Sequence, residues 1–296
     1  MPELPEVQTT VNGLNKTVRG KKIVDVETSY NSSYHAGKDN IKNPKFFAIF
    51  KKKIRGKKIL KAERRGKNVL IHITSGYTIL VHMKMTGHFI YDRPATTFVR
   101  LDFKLDNGKH LVLSDMRKFA KVTLVKTSEL EKSLHIKHLG PEPLENNFQF
   151  SIFSSQLKKK PRGKIKQVLM DQSLISGIGN IYSDEILWHA NVHPLSHPNK
   201  IPDRNLKAMF VATKAILKKG LDFGGDSMSD YRNIKGEKGK FQEHHRAYQK
   251  HKTKCLKKGR SALRASGSKS CSGVLEKMRV GGRSAHFCPV HQTLYK

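Results

Sequence analysis

The chain has 296 residues, of which 37% are hydrophobic, and 57 Lys and Arg residues outnumber 24 Asp and Glu residues. No apolar run approaches the roughly 18 residues of a membrane span, and the acidic N-terminus lacks the apolar segment of a signal peptide, so we expect a soluble intracellular protein of one or two domains. The formal net charge of +33 predicts a polyanionic partner, with nucleic acid as the first candidate.

The chain begins with MPELPEV, and apolar residues at helical spacing follow. Pro and Glu suit the first turn of a helix, because the first N–H groups have no intrahelical partner and the helix dipole favours negative charge there. This interpretation accounts for Pro5 and Glu6. It leaves Pro2 and Glu3 unexplained.

In a second interpretation, Pro2 and Glu3 take part directly in a chemical reaction. Removal of Met1 would expose the Pro2 nitrogen, and an α-amino group has a lower pKa than a lysine side chain, so more of it is neutral at pH 7. A neutral amine attacks a carbonyl carbon to form a Schiff base. Glu3 is placed to move a proton while a sugar ring opens. The spacing alone favours the helix start and leaves both interpretations open.

Residues 21–125 predict an antiparallel sheet. The segments 69–83 and 98–115 each contain two β-rich runs around a turn, and Asn107 and Gly108 supply the second turn. Segments with helical periodicity are sparse here apart from the N-terminal one. We therefore expect a β-sandwich or flattened barrel with that helix packed on it.

Two predicted strands end in unusual loops, HMKMTG (82–87) and SDMRKF (114–119). Met, Arg and Phe side chains at loop tips are ordinarily packing or solvated surface. In a DNA-binding protein the same side chains can enter the base stack and fill the space left by an extruded base.

The second half of the chain predicts helices. The Pro- and Asn-rich segment 139–147 indicates a domain boundary, residues 151–220 have helical patterning, and 224–246 is a Gly- and Lys-rich loop. In GIGNIYSDE (177–185), Asn180 is predicted to cap a helix whose first N–H groups can bind a phosphate. A nucleotide-binding loop fits less well, because the third glycine of G-x-G-x-x-G and a preceding strand are missing.

The three cysteines, Cys255, Cys271 and Cys288, all lie within residues 247–296. An odd number in an intracellular chain argues against disulfides and for a metal site. Cys288 and His291 have the spacing of half a zinc site, whereas Cys255 and Cys271 are too far apart for the usual second half. A Cys₃His zinc site and a degenerate site without metal both fit this pattern.

Seven segments together resemble one family from end to end, the bacterial formamidopyrimidine-DNA glycosylases (Fpg/Nei family). They are MPELPEV, RRGK (64–67), HMKMTG (82–87), DMRKF (115–119), LGPEPL (139–144), DQSLISGIGNIYSDE (171–185) and VGGRSAHFCPVHQ (280–292).

The resemblance implies an α+β fold: an N-terminal helix with an antiparallel β-sandwich, then a helix–two-turn–helix domain and a C-terminal zinc finger. We assign these to residues 1–130, 131–246 and 247–296. The implied activity is base-excision repair by a bifunctional DNA glycosylase and AP lyase that removes oxidised purines, 8-oxoguanine and formamidopyrimidines. The implied partner is double-stranded DNA with an oxidised base, in a bacterial cytoplasm at the nucleoid, with no membrane and with a monomer as the default.

The resemblance also implies roles for individual residues. Pro2 would form the Schiff base, Glu3 would protonate the opening deoxyribose, and Glu6 would help to organise the site. Lys67 and Arg283 match phosphate-binding positions near the lesion, and segment 224–233 matches a loop that closes over the flipped base. The remaining implied DNA contacts are Met85, Arg117, Phe119, Asn180 and Lys166, with Arg117 on the orphaned cytosine.

The chain departs from the family pattern in its finger. The family has C-x2-C-x16-C-x2-C, whereas here a basic insert, Leu256–Ser268, separates the first pair and His291 replaces the last Cys. The implied single Zn²⁺ would be held by Cys255, Cys271, Cys288 and His291, with His286 as a substitute if Cys255 cannot reach. Lys118 stands where the family has a second Arg, which loses the bidentate fork.

Two other functions stay open on the sequence. A sister activity would prefer oxidised pyrimidines, although MPELPE with Arg117 and Phe119 favours purines. A non-catalytic nucleic-acid binder would explain the charge, but it gives no reason for Pro2, Glu3 and Lys67 to occur together.

Overall fold

A computed structural model describes residues 1–92, 97–258 and 270–296. The chain divides into two compact units. The first consists of Met1–His138 and Gly220–Gln242, and the second of Leu139–Lys219 and Glu243–Lys296. The division at residues 130 and 246 stays a prediction. Most of the segment 224–246, which was expected in the helical domain, groups with the first unit, up to Gln242.

Helix α1, Leu4–Thr17, begins the first unit as the sequence predicted. Glu3 is its N-cap, Pro5 lies in its first turn, and the apolar stripe is fully buried at Val7 and Leu14. Proline is tolerated there because its missing N–H has no partner in a first turn anyway. The helix start therefore places Pro2 and Glu3 at the edge of a packed core.

Eight strands form two antiparallel four-stranded sheets, which confirms the predicted sandwich. Their orders are β1-β6-β7-β5 and β2-β3-β4-β8, and the two predicted hairpins are β3–β4 and β6–β7. Both sheets contribute to one apolar core together with α1. The strands are β1 Ile23–Thr28, β2 Ile59–Arg65, β3 Asn68–Ile73, β4 Tyr77–His82, β5 His88–Tyr91, β6 Val99–Leu105, β7 His110–Ser114 and β8 Lys121–Lys126.

The expectation of sparse helical segments between residues 21 and 125 is wrong at α2, Pro44–Ile54. Asn43 caps this helix by accepting the Lys45 N–H at 3.1 Å, and Pro44 occupies its first position. Phe50 and Ile54 bury one face of it. An Asn-Pro start followed by apolar residues four apart is the local helix signal in this segment, and it outweighs the β-rich character of the surrounding sequence.

The second unit contains the predicted helices and a two-stranded finger. The elements are α3 Phe150–Lys158, α4 Ile165–Met170, α5 Asn180–Ala190, most of α6 Asp203–Asp222, β9 Glu276–Val280 and β10 Arg283–Phe287. One local prediction is corrected: Gly179 is the N-cap of α5, and Asn180 is its first helical residue. Among the described residues, no helix is long and apolar enough to cross a membrane.

Candidate active site and metal centre

Two buried carboxylates lie at the start of α1. Glu3 and Glu6 are 3% and 1% exposed. The Glu3 N–H donates to Glu6 Oε2 at 2.8 Å, and the Asp226 N–H donates to Glu6 Oε1 at 2.7 Å. Because each oxygen holds a different segment, Glu6 joins the backbone of Glu3 to the loop that follows residue 224.

Tyr231 ties the same loop to α1. Its hydroxyl donates to the Glu6 carbonyl at 3.0 Å, and burial raises the pKa of Tyr231, so the hydroxyl remains a donor. Gly225 has a φ of +85°, and a Cβ there would lie 2.9 Å from Glu6 Cγ. Glycine is required at this position both for the backbone conformation and for the close approach.

Asn15 and Gln8 fix the direction of α1 along strand β2. Asn15 pairs with both backbone groups of Ala62, donating to its carbonyl at 2.9 Å and accepting its N–H at 2.7 Å. Nearer the helix start, Gln8 accepts from Arg64 Nε at 3.0 Å. The N-terminus of α1 therefore points towards the β2–β3 turn, which carries Lys67.

Lys67 is 9% exposed, and its charge affects His82 at the end of β4. Burial, and then the positive charges of Lys84 and Lys67, lower the pKa of His82 to about 3. Its Nδ1 accepts the Lys84 N–H at 3.0 Å, which requires an unprotonated Nδ1. A neutral imidazole thus holds the start of the loop that carries Met85.

The two loops predicted to fill a vacated base position are joined by Thr86 and Asp115. Thr86 Oγ1 donates to the fully buried Asp115 carboxylate and accepts the Arg117 N–H at 3.1 Å. Asp115 also accepts the Ala120 N–H at 2.7 Å, which closes the loop behind Phe119.

The side chains at the tip of this second loop face outwards. Phe119 is 47% exposed, and the Arg117 guanidinium lies 4.6 Å from the centre of its ring. A guanidinium over an aromatic face is held by the ring quadrupole. Together they form an exposed apolar and cationic pair on a loop with fixed ends.

In the second unit, Lys166 takes a role that the sequence did not predict. Its side chain is 0% exposed, and its ammonium pairs with Asp184 and donates to Ser183 Oγ at 3.2 Å. The other Asp184 oxygen accepts both the N–H and Nδ1 of His286, at 3.0 and 2.9 Å. Lys166 thus makes a buried structural ion pair, and its expected DNA contact stays a prediction. His286 bonds to Asp184, whereas His291 is the histidine that lies with the three cysteines.

Asn180 and Arg283 also belong to the second unit. Asn180 is the first residue of α5, at the positive end of the helix dipole, which favours an anion. Arg283 is exposed and begins strand β10, immediately after a turn whose two glycines have φ of +56° and +77°.

Four side chains of the finger converge on one point. The candidate ligand atoms all lie within 4.8 Å of one another, with Cys255 Sγ 3.3 Å from His291 Nδ1 and Cys271 Sγ 3.6 Å from Cys288 Sγ. His291 Nε2 lies 3.2 Å from the Trp188 carbonyl, which leaves Nδ1 as the ligand atom. This cluster can hold a metal ion.

The basic insert is accommodated because its ends are paired. Lys258 and Ser270 form an antiparallel bridge, and the Cys271 N–H donates to the Lys257 carbonyl at 2.8 Å. Lys257 also donates to the His189 carbonyl at 2.8 Å, at the C-terminal end of α5. The chain on either side of the insert is therefore held side by side, and Cys255 reaches the cluster. Residues 259–268 of the insert lie outside the described residues.

The structure groups the predicted residues by unit. The first unit holds Pro2, Glu3, Glu6, Lys67, Met85, Arg117 and Phe119, and the second holds Lys166, Asn180, Arg283 and the four candidate metal ligands. Sequence reasoning missed Asn15, Thr86, Asp226 and Tyr231. DMRKF contained Asp115, but no local pattern marked it as a bridge between loops.

The sequence matches one protein family along nearly its whole length. Two family models match, the formamidopyrimidine-DNA glycosylase N-terminal domain over residues 1–122 and the formamidopyrimidine-DNA glycosylase H2TH domain over residues 139–232. The formamidopyrimidine-DNA glycosylase of Streptococcus pneumoniae serotype 4 is 33% identical over 293 residues, 98% of each chain. That of Protochlamydia amoebophila is 34% identical over 300 residues, 99% of each chain.

The fold is also similar to solved structures of the same family. A complex of Lactococcus lactis Fpg with DNA containing an abasic site has a TM-score of 0.84 at 31% identity, covering 98% of this chain and 99% of that one. A complex of a Lactococcus lactis FPG mutant with DNA containing Fapy-dG has a TM-score of 0.83 at 31% identity, covering 99% and 100%.

Proposed function

Because this chain belongs to the formamidopyrimidine-DNA glycosylase family, we propose that it excises oxidised purines from double-stranded DNA and then cleaves the abasic site. The observation that carries the proposal is the N-terminal pair of buried carboxylates, in which Glu6 holds the backbone N–H of Glu3. A protein that only binds DNA would have no need to bury two carboxylates beside the chain terminus, because burial of charge is costly.

The proposed reaction begins once Met1 is removed. The electron pair of the Pro2 nitrogen attacks C1′ of the damaged nucleoside, the bond between C1′ and the base breaks, and the base leaves. Glu3 protonates the deoxyribose ring oxygen as the ring opens, which gives the Schiff base. Loss of a C2′ proton expels the 3′ phosphate by β-elimination, and δ-elimination then expels the 5′ phosphate to leave a one-nucleotide gap.

The other residues bind and shape the DNA in this proposal. Lys67, Asn180 and Arg283 bind phosphates, which positions the duplex without reading its sequence. Met85, Arg117 and Phe119 fill the space of the flipped nucleotide, and Arg117 faces the orphaned cytosine. The Gly224–Asn233 loop closes over the extruded base.

We propose one Zn²⁺ as the occupant of the finger. Three sulfur atoms and one imidazole nitrogen are a standard zinc set, and sulfur atoms in a tetrahedral site with 2.3 Å bonds lie about 3.8 Å apart, close to the 3.6 Å between Cys271 and Cys288. A Cβ on Gly273 would lie 2.5 Å from Cys288 Sγ, so only glycine lets the chain close around this ligand. The ion would be structural, since four protein ligands leave no open position.

The protein is proposed to act as a monomer in the bacterial cytoplasm, where its DNA substrate lies. The +33 charge supports DNA as the partner, because lysine and arginine release counterions from the phosphate backbone.

Borohydride trapping tests the proposal directly. The purified protein with Met1 removed should give a covalent band with a duplex containing 8-oxoguanine opposite cytosine, because borohydride reduces an imine to a stable amine. Pro2→Gly should lose most of the band, and Glu3→Gln should reduce it. No band from the parent, on this duplex or on an abasic one, would leave a binding protein without this chemistry. If a covalent band forms only with a duplex that contains an oxidised pyrimidine, the substrates are oxidised pyrimidines and not oxidised purines.

A further inference from the structure

We propose that Lys42 is a positioning residue that holds the loop of Arg117 and Phe119 in its base-replacing conformation. The inference rests on the proposed function, because that loop matters only if a base is extruded. Lys42 belongs to the segment between β1 and α2, which no motif or family position singled out.

The loop contains a backbone conformation that needs support. Lys118, between Arg117 and Phe119, has a φ of +58°. This left-handed region is unfavourable for residues with a Cβ, and such residues persist where their surroundings hold them.

Lys42 supplies a contact at that residue. Its ammonium donates to the Lys118 carbonyl at 2.5 Å, across 76 positions of sequence. The residue is 7% exposed, and the ammonium lies 5.2 Å from the centre of the Tyr30 ring. The ammonium is therefore directed at the loop backbone rather than towards solvent.

The charge of Lys42 is balanced by the same loop. Burial lowers the pKa of Lys42, and the Asp115 carboxylate opposes that shift. The Tyr30 hydroxyl donates to Asp115 at 3.4 Å, and Asp115 accepts the Ala120 N–H. A buried ammonium is retained when such groups compensate it. Asp115 thus holds the ends of the loop, and Lys42 holds its middle.

Lys42 is less accessible to a phosphate than the lysines around it. Lys84 and Lys121 are close enough to lower the pKa of Lys42 further. These neighbours are cations, and the Lys42 ammonium is already bonded to the Lys118 carbonyl. A phosphate would meet the more exposed Lys121 and Lys84 first.

Single-turnover excision of 8-oxoguanine by the full chain tests this role, with cytosine or adenine opposite the lesion. Lys42→Met should lower excision opposite cytosine about tenfold, the range expected when one unfavourable backbone conformation loses its support. It should also reduce the preference for cytosine, because Arg117 is no longer held over the orphaned base. The matched control is Lys45→Met, which removes an exposed charge nearby and should leave both values unchanged.

A double-mutant cycle with Lys118→Gly separates positioning from general destabilisation. Glycine adopts positive φ without strain, so Lys42→Met should cost little in the Lys118→Gly background. An equal loss in both backgrounds, or an unchanged preference for cytosine, would overturn the proposal. Tyr30→Leu, which removes the ring under the ammonium, should show a milder form of the same defect if Lys42→Met does not fold. A parent that excises nothing would instead reject the proposed function.

Discussion

At the scale of single residues, Glu6 connects the backbone of Glu3, the proposed proton donor, to the loop that contains Asp226. Its two oxygens accept N–H groups from Glu3 and Asp226, and the second partner is 220 positions away. Glu6→Gln replaces one acceptor by an NH₂ group and leaves one buried N–H unpaired, a loss of about 1–3 kcal/mol.

We expect Glu6→Gln to reduce the rate of Schiff-base trapping about tenfold or more and to lower the melting temperature. Glu131→Gln, at an exposed position, removes the same charge and should change neither value. If Glu6→Gln forms the Schiff base at the rate of the parent, the hydrogen bonds of Glu6 to Glu3 and Asp226 are not needed for the reaction.

His82 makes stability depend on pH. Its pKa in the folded state is about 3, below the ordinary histidine value, so on acidification the unfolded chain binds a proton before the folded one. The free energy of unfolding should therefore fall as the pH falls from about 6.5 towards 3, by at most about 1.4 kcal/mol per pH unit from this residue.

Chemical denaturation at pH 7 and pH 4.5 measures this effect. His82→Asn keeps an acceptor for the Lys84 N–H and cannot be protonated, so its stability should depend less on pH than that of the parent. An exposed-site variant, His138→Gln, should behave like the parent. Equal pH dependence in His82→Asn and the parent would contradict the assignment.

At the scale of elements, one of the two side chains that fix α1 along β2 bonds as a neighbouring strand would. Asn15 forms both hydrogen bonds that a neighbouring strand would form with Ala62 of β2. We expect Asn15→Ala to lower the free energy of unfolding by about 2 kcal/mol, because two buried backbone groups lose their partners.

Urea denaturation measures this loss. Asn12→Ala, in the same helix at an exposed position, should stay within about 0.5 kcal/mol of the parent. A similar loss in both variants would mean that helix propensity, and not the link to β2, is responsible.

The finger should tolerate removal of most of its insert. Because Lys258 and Ser270 are already paired, an Asn-Gly turn in place of residues 259–269 can connect them directly. We expect the shortened protein to bind one metal ion per chain by elemental analysis, the same content that we expect for the parent. Loss of the metal would mean that the insert itself supports the ligands.

At the scale of the whole molecule, the charge of +33 determines how binding responds to salt. If roughly six phosphates are neutralised, affinity for an undamaged duplex should fall roughly thousandfold between 50 and 200 mM salt. Fluorescence anisotropy across that range gives the slope. A nearly flat response would show that the charge is not directed at DNA.

Much of the architecture was predictable because it depends on local periodicity. The alternating strands of β3–β4 and β6–β7, the N-terminal helix and the helical segment from 151 to 220 follow from spacing alone. The spacing of the cysteines suggested the metal cluster but left Cys255 uncertain. The bridge between Lys258 and Ser270, which resolves that question, is a tertiary feature.

The unpredicted parts are contacts between distant segments. Lys166 was predicted as a DNA contact from the family resemblance, and only the fold shows Asp184 beside it in the interior. Thr86 and Asp115 lie in recognisable sequence motifs, yet their bond across two loops follows from the packing of both sheets. A motif can indicate that a charged residue is functionally important. Its burial and its partners, which only the fold shows, indicate whether it also supports the structure.

The candidate metal cluster also lies next to an intrinsic fluorescent residue. Trp188 is the chain's single tryptophan, its ring stands edge-on to His291 with 5.3 Å between ring centres, and its carbonyl faces the second nitrogen of that histidine. All indole emission therefore comes from one residue beside the cluster. The unmodified protein can therefore report, in real time and without a dye, whether a metal ion enters or leaves these four side chains.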